Sequence, residues 1–318
     1  MTRASGGGPS LLVIAGATAT GKTGLAIDVA ERLAGEGIPA EVISADSRQV
    51  YRGLDIGTAK ATPAERRGIA HHGLDLVDPD QPFTVADFAA HADGALTGIG
   101  ARGGLAILAG GTGLYLRAVA RGLPVESLPS DAAVRARLEA EFLAVGLEPL
   151  VERLRAVAPR RADAIDTANP RRVVRALEMA TVAGGEPDVP APRGYDGRVA
   201  WIGLEVDAPT HRDWIANRAR AQFDAGLIEE ARSLRERFDP ALPAFSAIGY
   251  REAWAVLDGE LTREAAIAED ARRNQAFAKR QGTWFRAEPD VEWLDATAPP
   301  VERALAVARL LTAHGTGG

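Results

Sequence analysis

The sequence predicts an α/β fold, in which a parallel sheet is flanked by helices and interrupted by an all-helical insertion. Short apolar runs at residues 11–15 and 105–109 have the length of buried strands. Apolar residues at helical spacing follow such runs, which is typical of alternating strands and helices. The middle of the chain instead carries successive helical segments and no strand-like run. The predicted parts are a first core part at 1–122, an insertion at 123–200 and a second core part at 201–318.

Composition limits the functional classes. A chain of 318 residues accommodates one large α/β domain with an insertion. It contains no cysteine, which excludes a disulfide framework, a thiolate zinc site and a cysteine nucleophile, and we expect a cytoplasmic protein. No apolar run is long enough to span a membrane, so we expect no membrane partner. The net charge of -6 argues against a general nucleic-acid coat protein but is compatible with a local basic groove.

A glycine-rich loop follows the first apolar run. It matches the pattern G-x-x-x-x-G-K-[ST] and consists of Gly16, Ala17, Thr18, Ala19, Thr20, Gly21, Lys22 and Thr23. A strand that turns through glycines into a helix directs backbone N–H groups and the helix dipole at phosphate oxygens. Lys22 adds a cation, and the hydroxyl of Thr23 is a typical Mg²⁺ ligand. The predicted fold is therefore P-loop NTPase-like, and the loop alone leaves the bound phosphate compound open.

Two further segments end at the same edge of the predicted sheet. Asp46 follows the apolar run 40–44, and a turn containing Thr112 follows the run 105–109. Ligands of open parallel sheets bind at the carboxyl ends of the strands. Asp46 is placed to accept a proton from a nucleophile or to orient it, and a turn or helix-capping role is the alternative. Thr112 stands in Gly-Gly-Thr-Gly, where a hydrolytic P-loop protein needs an acid. These residues favour close approach of the backbone to a ligand, with one hydroxyl donor, and a ligand-free tight turn is the alternative.

The insertion contains a helix with clustered arginines. Asn169 caps this helix and Pro170 begins it. Arg175 follows Arg171 by four residues and Arg172 by three, so that all three arginines can address one anionic surface. A solvated helix face is the alternative interpretation.

Two other patterns allow more than one interpretation. Gly249, Tyr250 and Arg251 combine a flexible glycine with an aromatic ring and a cation, which suits base stacking or ordinary packing. The neighbouring His71 and His72 invite a metal site, but adjacent residues on a strand face opposite sides and no third ligand is evident.

Together these segments resemble the tRNA dimethylallyltransferase family, also called tRNA isopentenyltransferases. The resemblance covers nearly the whole chain, and the segment that contains Asp46 is its most specific part. The matching stretches, in family order, are residues 16–23, 44–60, 71–75, 110–115, 170–178, 248–252 and 278–286.

The resemblance implies a Mg²⁺-dependent transferase reaction. The dimethylallyl group of dimethylallyl diphosphate moves to the exocyclic amine of the adenosine 3′ of the anticodon, which gives N6-(dimethylallyl)adenosine and diphosphate. Residues 16–23 then hold the leaving diphosphate, with the metal at Thr23. Asp46 acts as the base, Thr112 bonds near the leaving oxygen, and Arg218 adds positive charge. His71 and His72 become structural or substrate-positioning residues.

The resemblance also implies contacts with the anticodon stem-loop, from which the target base must be extruded. The insertion becomes a clamp on this stem-loop, and we expect the protein to act as a monomer. The implied tRNA-binding residues are Asp46, Ser47, Arg48, Gln49, Arg171, Arg172, Val173, Val174, Arg175, Ser246, Ala247, Ile248, Gly249, Tyr250 and Arg251.

Three other functions remain open at this point. A small-molecule isopentenyltransferase would alkylate free adenine nucleotides, although the arginines of the insertion speak against it. A P-loop kinase would place ATP in the loop and use Asp46 to orient an acceptor hydroxyl. A non-catalytic RNA-binding module would use the fold as a phosphate sensor.

Overall fold

The computed structural model describes residues 7–298 and 300–313, and the core is an all-parallel sheet. The described part contains six strands, in the spatial order β3-β2-β4-β1-β5-β6. The predicted strands are confirmed, whereas β3 was not predicted because two residues carry no periodicity. The strands are β1 Leu11–Gly16, β2 Ala40–Ser44, β3 His71–His72, β4 Leu105–Gly110, β5 Val199–Glu205 and β6 Val291–Asp295.

Twelve α-helices accompany these strands in the described residues. They are α1 Lys22–Gly35, α2 Val85–Ala101, α3 Gly113–Ala120, α4 Ala132–Val145, α5 Glu148–Val157, α6 Pro159–Asp163, α7 Pro170–Ala183, α8 Ala208–Asp224, α9 Leu227–Arg237, α10 Tyr250–Leu257, α11 Arg263–Arg286 and α12 Val301–Thr312. No helix in this part of the chain is both long enough and apolar enough to cross a membrane.

Both faces of the sheet are covered, which explains the continuous apolar runs in the sequence. Leu11 and Val13 of β1 pack into a cluster on one face that includes residues of α2, α3 and α10. Leu12 and Ile14 point to the other face and pack with α1 and α12. The predicted α/β fold is therefore confirmed, with β1 and its loop in the middle of the sheet.

The chain divides into two compact units. The first runs up to Gly122 and resumes at Gly194, and the second is Leu123–Arg193. The sequence placed the end of the insertion at 200, but the segment after Arg193 already belongs to the first unit. The N–H of Gly194 donates to the carbonyl of Arg121 at 3.1 Å, and the hydroxyl of Tyr195 donates to the carbonyl of Pro9 at 2.6 Å.

The second unit is helical, as predicted. Helices α4 to α7 enclose a small core of buried residues that includes Leu138, Leu154 and Leu177. Asn169 caps α7 because its Oδ1 accepts the N–H of Arg172 at 3.3 Å, and Pro170 begins the helix.

Candidate active site

The glycine-rich loop connects β1 to α1 at the carboxyl edge of the sheet. Gly16 has a φ of 150° and Gly21 a φ of 84°, and both values favour glycine over other residues. A side chain on Gly16 would also approach the carbonyl of Leu204 to 2.9 Å. Lys22 folds back over the loop and donates from Nζ to the carbonyl of Ala17 at 2.5 Å. The pattern therefore forms the tight loop that the sequence predicts.

Three side chains from α8 and α11 hold Thr18, at the tip of this loop. Arg218 donates from Nη1 to Thr18 Oγ1 at 2.7 Å. His211 Nε2 lies 2.8 Å from the Thr18 carbonyl, so this nitrogen carries a proton. The N–H of Thr18 donates to Gln281 Oε1 at 2.8 Å. The contact with Thr18 Oγ1 places Arg218 at the loop, and its role near the diphosphate remains a prediction.

His211 and Gln281 were not predicted as site residues. The long sequence separation from Thr18, 193 and 263 residues respectively, leaves no local pattern to detect. Gln281 lies within the matching stretch 278–286, which is the only sequence signal that could have singled it out.

The charges of Lys22, Arg218 and Asp46 act on one another. Burial and, to a smaller extent, the positive charge of Arg218 lower the pKa of Lys22 to about 7, against the raising effect of Asp46. Burial also lowers the pKa of Arg218, against the negative charges of Asp46 and Asp270. Two cations beside a phosphate loop, opposed by few anions, make a site suited to an added anion.

Asp46 and Thr112 lie in neighbouring turns at the carboxyl edge of the sheet. Asp46 Oδ1 accepts the N–H of Arg48 at 2.8 Å and that of Gln49 at 3.4 Å. The Oγ1 of Thr112 accepts the N–H of Ser47 at 3.0 Å. Asp46 thus does form a turn, and its Oδ2 has no hydrogen-bond partner among the described residues. The hydroxyl proton of Thr112 likewise remains available to a ligand.

The glycines beside Thr112 serve internal contacts. The sequence suggested that they let a ligand approach the backbone. Instead, a side chain on Gly110 would collide with the carbonyl of Ala45, one on Gly111 with Gln281, and one on Gly113 with Trp284. These glycines therefore bring the turn close to β2 and α11.

Thr23 fits the predicted metal position in its chemistry. It is exposed on the first turn of α1, and its hydroxyl has no hydrogen-bond partner in residues 7–298 and 300–313. No group of three or more acidic or histidine side chains suited to a metal occurs in those residues. Mg²⁺ bound through phosphate oxygens and waters needs only one or two protein oxygens. A single hydroxyl beside a phosphate loop meets that requirement.

The predicted tRNA-binding residues next to Asp46 have different environments. Ser47 and Arg48 are half-buried, and Arg48 donates to the carbonyl of Pro243 at 2.9 Å. Gln49 is buried, accepts the hydroxyl of Ser44 at 2.8 Å and donates to the carbonyl of Thr58 at 3.1 Å. Gln49 therefore holds the neighbouring backbone with its side chain.

The stretch from Ser246 to Arg251 combines exposed and packed residues. Ser246 and Arg251 are exposed, and Ile248 is half-buried. Ala247, Gly249 and Tyr250 are buried. The hydroxyl of Tyr250 donates to Glu230 at 2.8 Å, which favours the packing interpretation for this ring.

The five predicted tRNA-binding residues of the insertion also differ in their exposure. Arg171 and Arg172 are exposed. Val173 and Val174 are buried in the core of the unit, so their side chains are not available to RNA. Arg175 donates to the carbonyl of Pro129 at 2.9 Å and pairs with the buried Glu178 at 2.9 Å. The guanidinium of Arg175 is therefore part of an internal ion pair rather than of an open basic face.

The two adjacent histidines lie at the edge of the sheet. His71 Nδ1 is 2.8 Å from the carbonyl of Ile69, and burial lowers its pKa. His72 Nε2 lies 2.7 Å from Glu41, which also binds Arg102. Both side chains thus have partners within the protein.

A cavity of about 460 Å³ borders the loop. Ala17 and Thr20 contribute to its wall, with side chains from α8, α11 and the ends of β5 and β6. Asp46, Thr112 and Arg218 are not among the described residues that line this cavity. The cavity therefore adjoins the loop at the carboxyl ends of β5 and β6, and these three predicted catalytic residues do not line it.

The central parallel strand, the glycine-rich loop after it and the cations around that loop define a P-loop NTPase-like protein. A family model described as IPP transferase matches residues 49–288, and one described as isopentenyl transferase matches residues 9–75. The chain belongs to the IPP transferase family.

Individual proteins agree with this assignment. The chain is 46% identical over 306 residues to a tRNA dimethylallyltransferase from Anaeromyxobacter sp. (strain K), covering 95% of this chain and 97% of that protein. The structure of the full-length tRNA isopentenylpyrophosphate transferase from Bacillus halodurans superimposes with a TM-score of 0.68 at 37% identity, covering 96% of both chains. A eukaryotic dimethylallyltransferase acting on tRNA shares the fold, with a TM-score of 0.75 at 24% identity over 95% of this chain and 79% of the other.

Proposed function

We propose that the protein transfers the dimethylallyl group of dimethylallyl diphosphate to the exocyclic amine of the adenosine 3′ of the anticodon in tRNA. The products are N6-(dimethylallyl)adenosine and diphosphate. The observation that carries this proposal is the hydrogen bond from the N–H of Ser47, next to Asp46, to Thr112 Oγ1, at the edge of the sheet that also bears the phosphate loop. The names of the relatives support tRNA as the acceptor, and dimethylallyl diphosphate as the donor is part of the proposal. The geometry suggests a role for each group.

The loop serves the leaving group. As the bond between the dimethylallyl carbon and the bridging oxygen breaks, negative charge grows on the diphosphate. Lys22 and Arg218 stabilise that charge because both cations lie at residues 17–18 of the loop. Thr112 donates its free hydroxyl proton to the leaving oxygen while its Oγ1 remains fixed by Ser47.

Asp46 serves the acceptor. The exocyclic amine of adenine is a weak nucleophile, so a carboxylate that binds it and removes a proton assists attack on the dimethylallyl carbon. The backbone N–H groups of Arg48 and Gln49 hold Oδ1, which leaves Oδ2 for the amine. One C–N bond forms, one C–O bond breaks, and the amine proton passes to Asp46.

Mg²⁺, held by the Thr23 hydroxyl and by diphosphate oxygens, would neutralise part of the negative charge of the leaving group. Lys22 and Arg218 supply the protein's own part of the same neutralisation.

The tRNA is bound through groups that remain exposed. Arg171 and Arg172 on α7 provide positive charge for the phosphate backbone, and Arg251 with Ser246 provides a second contact region. The target base is extruded from the loop to reach Asp46, at a modest cost for a single-stranded segment. Action as a monomer in the cytoplasm is part of the proposal, and the absence of cysteine is consistent with the cytoplasmic location.

The test is an incubation of the full chain and Mg²⁺ with a labelled donor and a choice of acceptor. The donors are labelled dimethylallyl diphosphate and labelled ATP, and the acceptors are unmodified tRNA, AMP or none. We expect label in tRNA only with dimethylallyl diphosphate. Label in AMP would indicate a small-molecule transferase, label transferred from ATP would indicate a kinase, and no transfer would contradict the proposed reaction.

A further inference from the structure

The side chain of Gln281 links two loops of the candidate active site. It lies on α11, is 7% exposed and uses both ends of its amide. Its Oε1 accepts the N–H of Thr18 at 2.8 Å, and its Nε2 donates to the carbonyl of Gly111 at 2.9 Å. An N–H needs an acceptor and a carbonyl needs a donor, so the two partners define the orientation of the amide.

The two loops linked by Gln281 carry different parts of the proposed chemistry. Thr18 lies at the tip of the phosphate loop and receives the hydrogen bond of Arg218 on its hydroxyl. Gly111 immediately precedes Thr112 in the turn after β4. The distance between the leaving diphosphate and the hydroxyl of Thr112 therefore depends on a connection made through one buried amide.

The local backbone is adapted to this connection. Gly111 lacks the Cβ that would collide with Gln281 Nε2. The N–H of Thr18 is already engaged by Gln281, so other N–H groups of the loop must meet the phosphate oxygens. Gln281 thus acts on the loop and the turn without contacting the diphosphate itself.

We propose that Gln281 is a positioning residue that sets the phosphate loop and the Thr112 turn at the separation required for transfer. This inference rests on the proposed function, because the separation matters only if a diphosphate leaves from the loop beside Thr112. Misplacement of reacting groups by a fraction of their contact distance lowers turnover more than it lowers binding.

The chain offers a matched control for this role. Gln222 on α8 is also 7% exposed and also bridges two backbone positions. It donates from Nε2 to the carbonyls of Ile56 and Gly57 at 2.6 and 2.9 Å. Replacing either glutamine by methionine keeps the volume and removes the amide hydrogen bonds. A loss of general stability affects both variants, whereas a loss of positioning affects only the Gln281 variant.

The experiment compares wild type, Gln281→Met and Gln222→Met in the full chain. We expect kcat of Gln281→Met to fall on the order of 10²-fold, with a smaller change in KM for dimethylallyl diphosphate. We also expect faster amide hydrogen exchange in residues 16–23 and 110–113 of this variant, a readout that does not depend on activity. Gln222→Met should keep wild-type kcat and exchange in both segments.

Two results would overturn the inference. One is a kcat of Gln281→Met within twofold of wild type, and the other is an equal fall in kcat for both variants. Wild-type protein that transfers no label to tRNA would instead overturn the proposed function. The exchange data would still report whether Gln281 holds the two loops.

Discussion

The backbone N–H of Ser47 donates a hydrogen bond to Oγ1 of Thr112 at 3.0 Å. Ser47 follows Asp46 after β2, and Thr112 ends the turn after the neighbouring strand β4. The N–H of Thr112 returns a hydrogen bond to the carbonyl of Ala45 at 3.1 Å. This reciprocal pair joins the proposed base to the proposed donor for the leaving oxygen.

Removing the hydroxyl of Thr112 tests its share in departure of the diphosphate. We expect Thr112→Val to lower kcat by about 10²-fold, the usual cost of deleting one donor to a developing oxyanion. Thr112→Ser retains the hydroxyl and should restore most of the activity. Steady-state kinetics with saturating tRNA measure kcat of both variants. A valine variant that is as active as wild type would show that the hydroxyl of Thr112 takes no part in the departure of the diphosphate.

Asp46→Asn isolates proton removal from turn formation. The asparagine Oδ1 can still accept the N–H of Arg48, so the backbone should keep its course. We expect kcat to fall by about 10²- to 10⁴-fold, as for loss of a general base. Affinity for diphosphate, measured by calorimetry, should stay close to wild type. Near-normal turnover of Asp46→Asn would show that another group accepts the proton.

The exposed arginines of α7 should contribute to tRNA affinity through phosphate contacts. Replacing both Arg171 and Arg172 by alanine should weaken tRNA binding and reduce the slope of log K against log salt by about two. Binding of dimethylallyl diphosphate should not change. Filter binding across a salt series measures the slope. An unchanged slope would exclude these two side chains from the RNA interface.

Arg175 should behave differently from its neighbours on α7. Arg175→Ala removes a partner of the buried Glu178, and we expect the free energy of unfolding to fall by about 2 kcal/mol. Arg171→Ala on the same helix is the control, with little expected change. Urea unfolding followed by circular dichroism measures both. Weakened tRNA binding by Arg175→Ala without any loss of stability would show a direct contact that the internal ion pair does not predict.

Ionised Glu178 should also make the stability of the insertion depend on pH in the acidic range. Burial raises the pKa of this carboxyl, but hydrogen bonds from Arg135, Arg175 and the N–H of Asp131 outweigh that effect and lower the pKa to about 2. Because the folded pKa is lowered, the stabilisation is present above the unfolded pKa of about 4.5. This stabilisation is lost as the pH falls from about 4.5 towards about 2.

The measurement compares the unfolding free energy of wild type and Glu178→Gln from pH 7 to pH 2. We expect the advantage of wild type to be constant at neutral pH and to shrink between about pH 4.5 and 2. An advantage that is independent of pH would show that the carboxylate charge is not what stabilises this helix.

Much of the fold follows from sequence because its signals are local. The apolar runs of β1 and β4, the glycine-rich loop and the cap at Asn169 each occupy a few consecutive residues. The strand β3 could not be predicted, since it has two residues and depends on pairing with Val42 and Ile43. The end of the insertion was misplaced because residues 194–198 are held by partners distant in sequence.

The site was predictable where a motif places a residue at a strand end. Asp46, Thr112 and the loop lie at one edge because parallel strands share that edge. The contacts of His211 and Gln281 with Thr18 depend on how α8 and α11 pack, which no local pattern encodes. Arg171 and Arg175 follow the same helical spacing, but Arg171 is exposed whereas Arg175 pairs with the buried Glu178.

The most direct test of the central claim identifies the nucleoside that the protein makes. Unmodified tRNA is incubated with dimethylallyl diphosphate, Mg²⁺ and either wild type or Asp46→Asn, then digested and analysed by mass spectrometry. We predict N6-(dimethylallyl)adenosine at the position 3′ of the anticodon with wild type and a strongly reduced yield with Asp46→Asn. Unmodified adenosine at that position after incubation with folded wild-type protein would contradict the account.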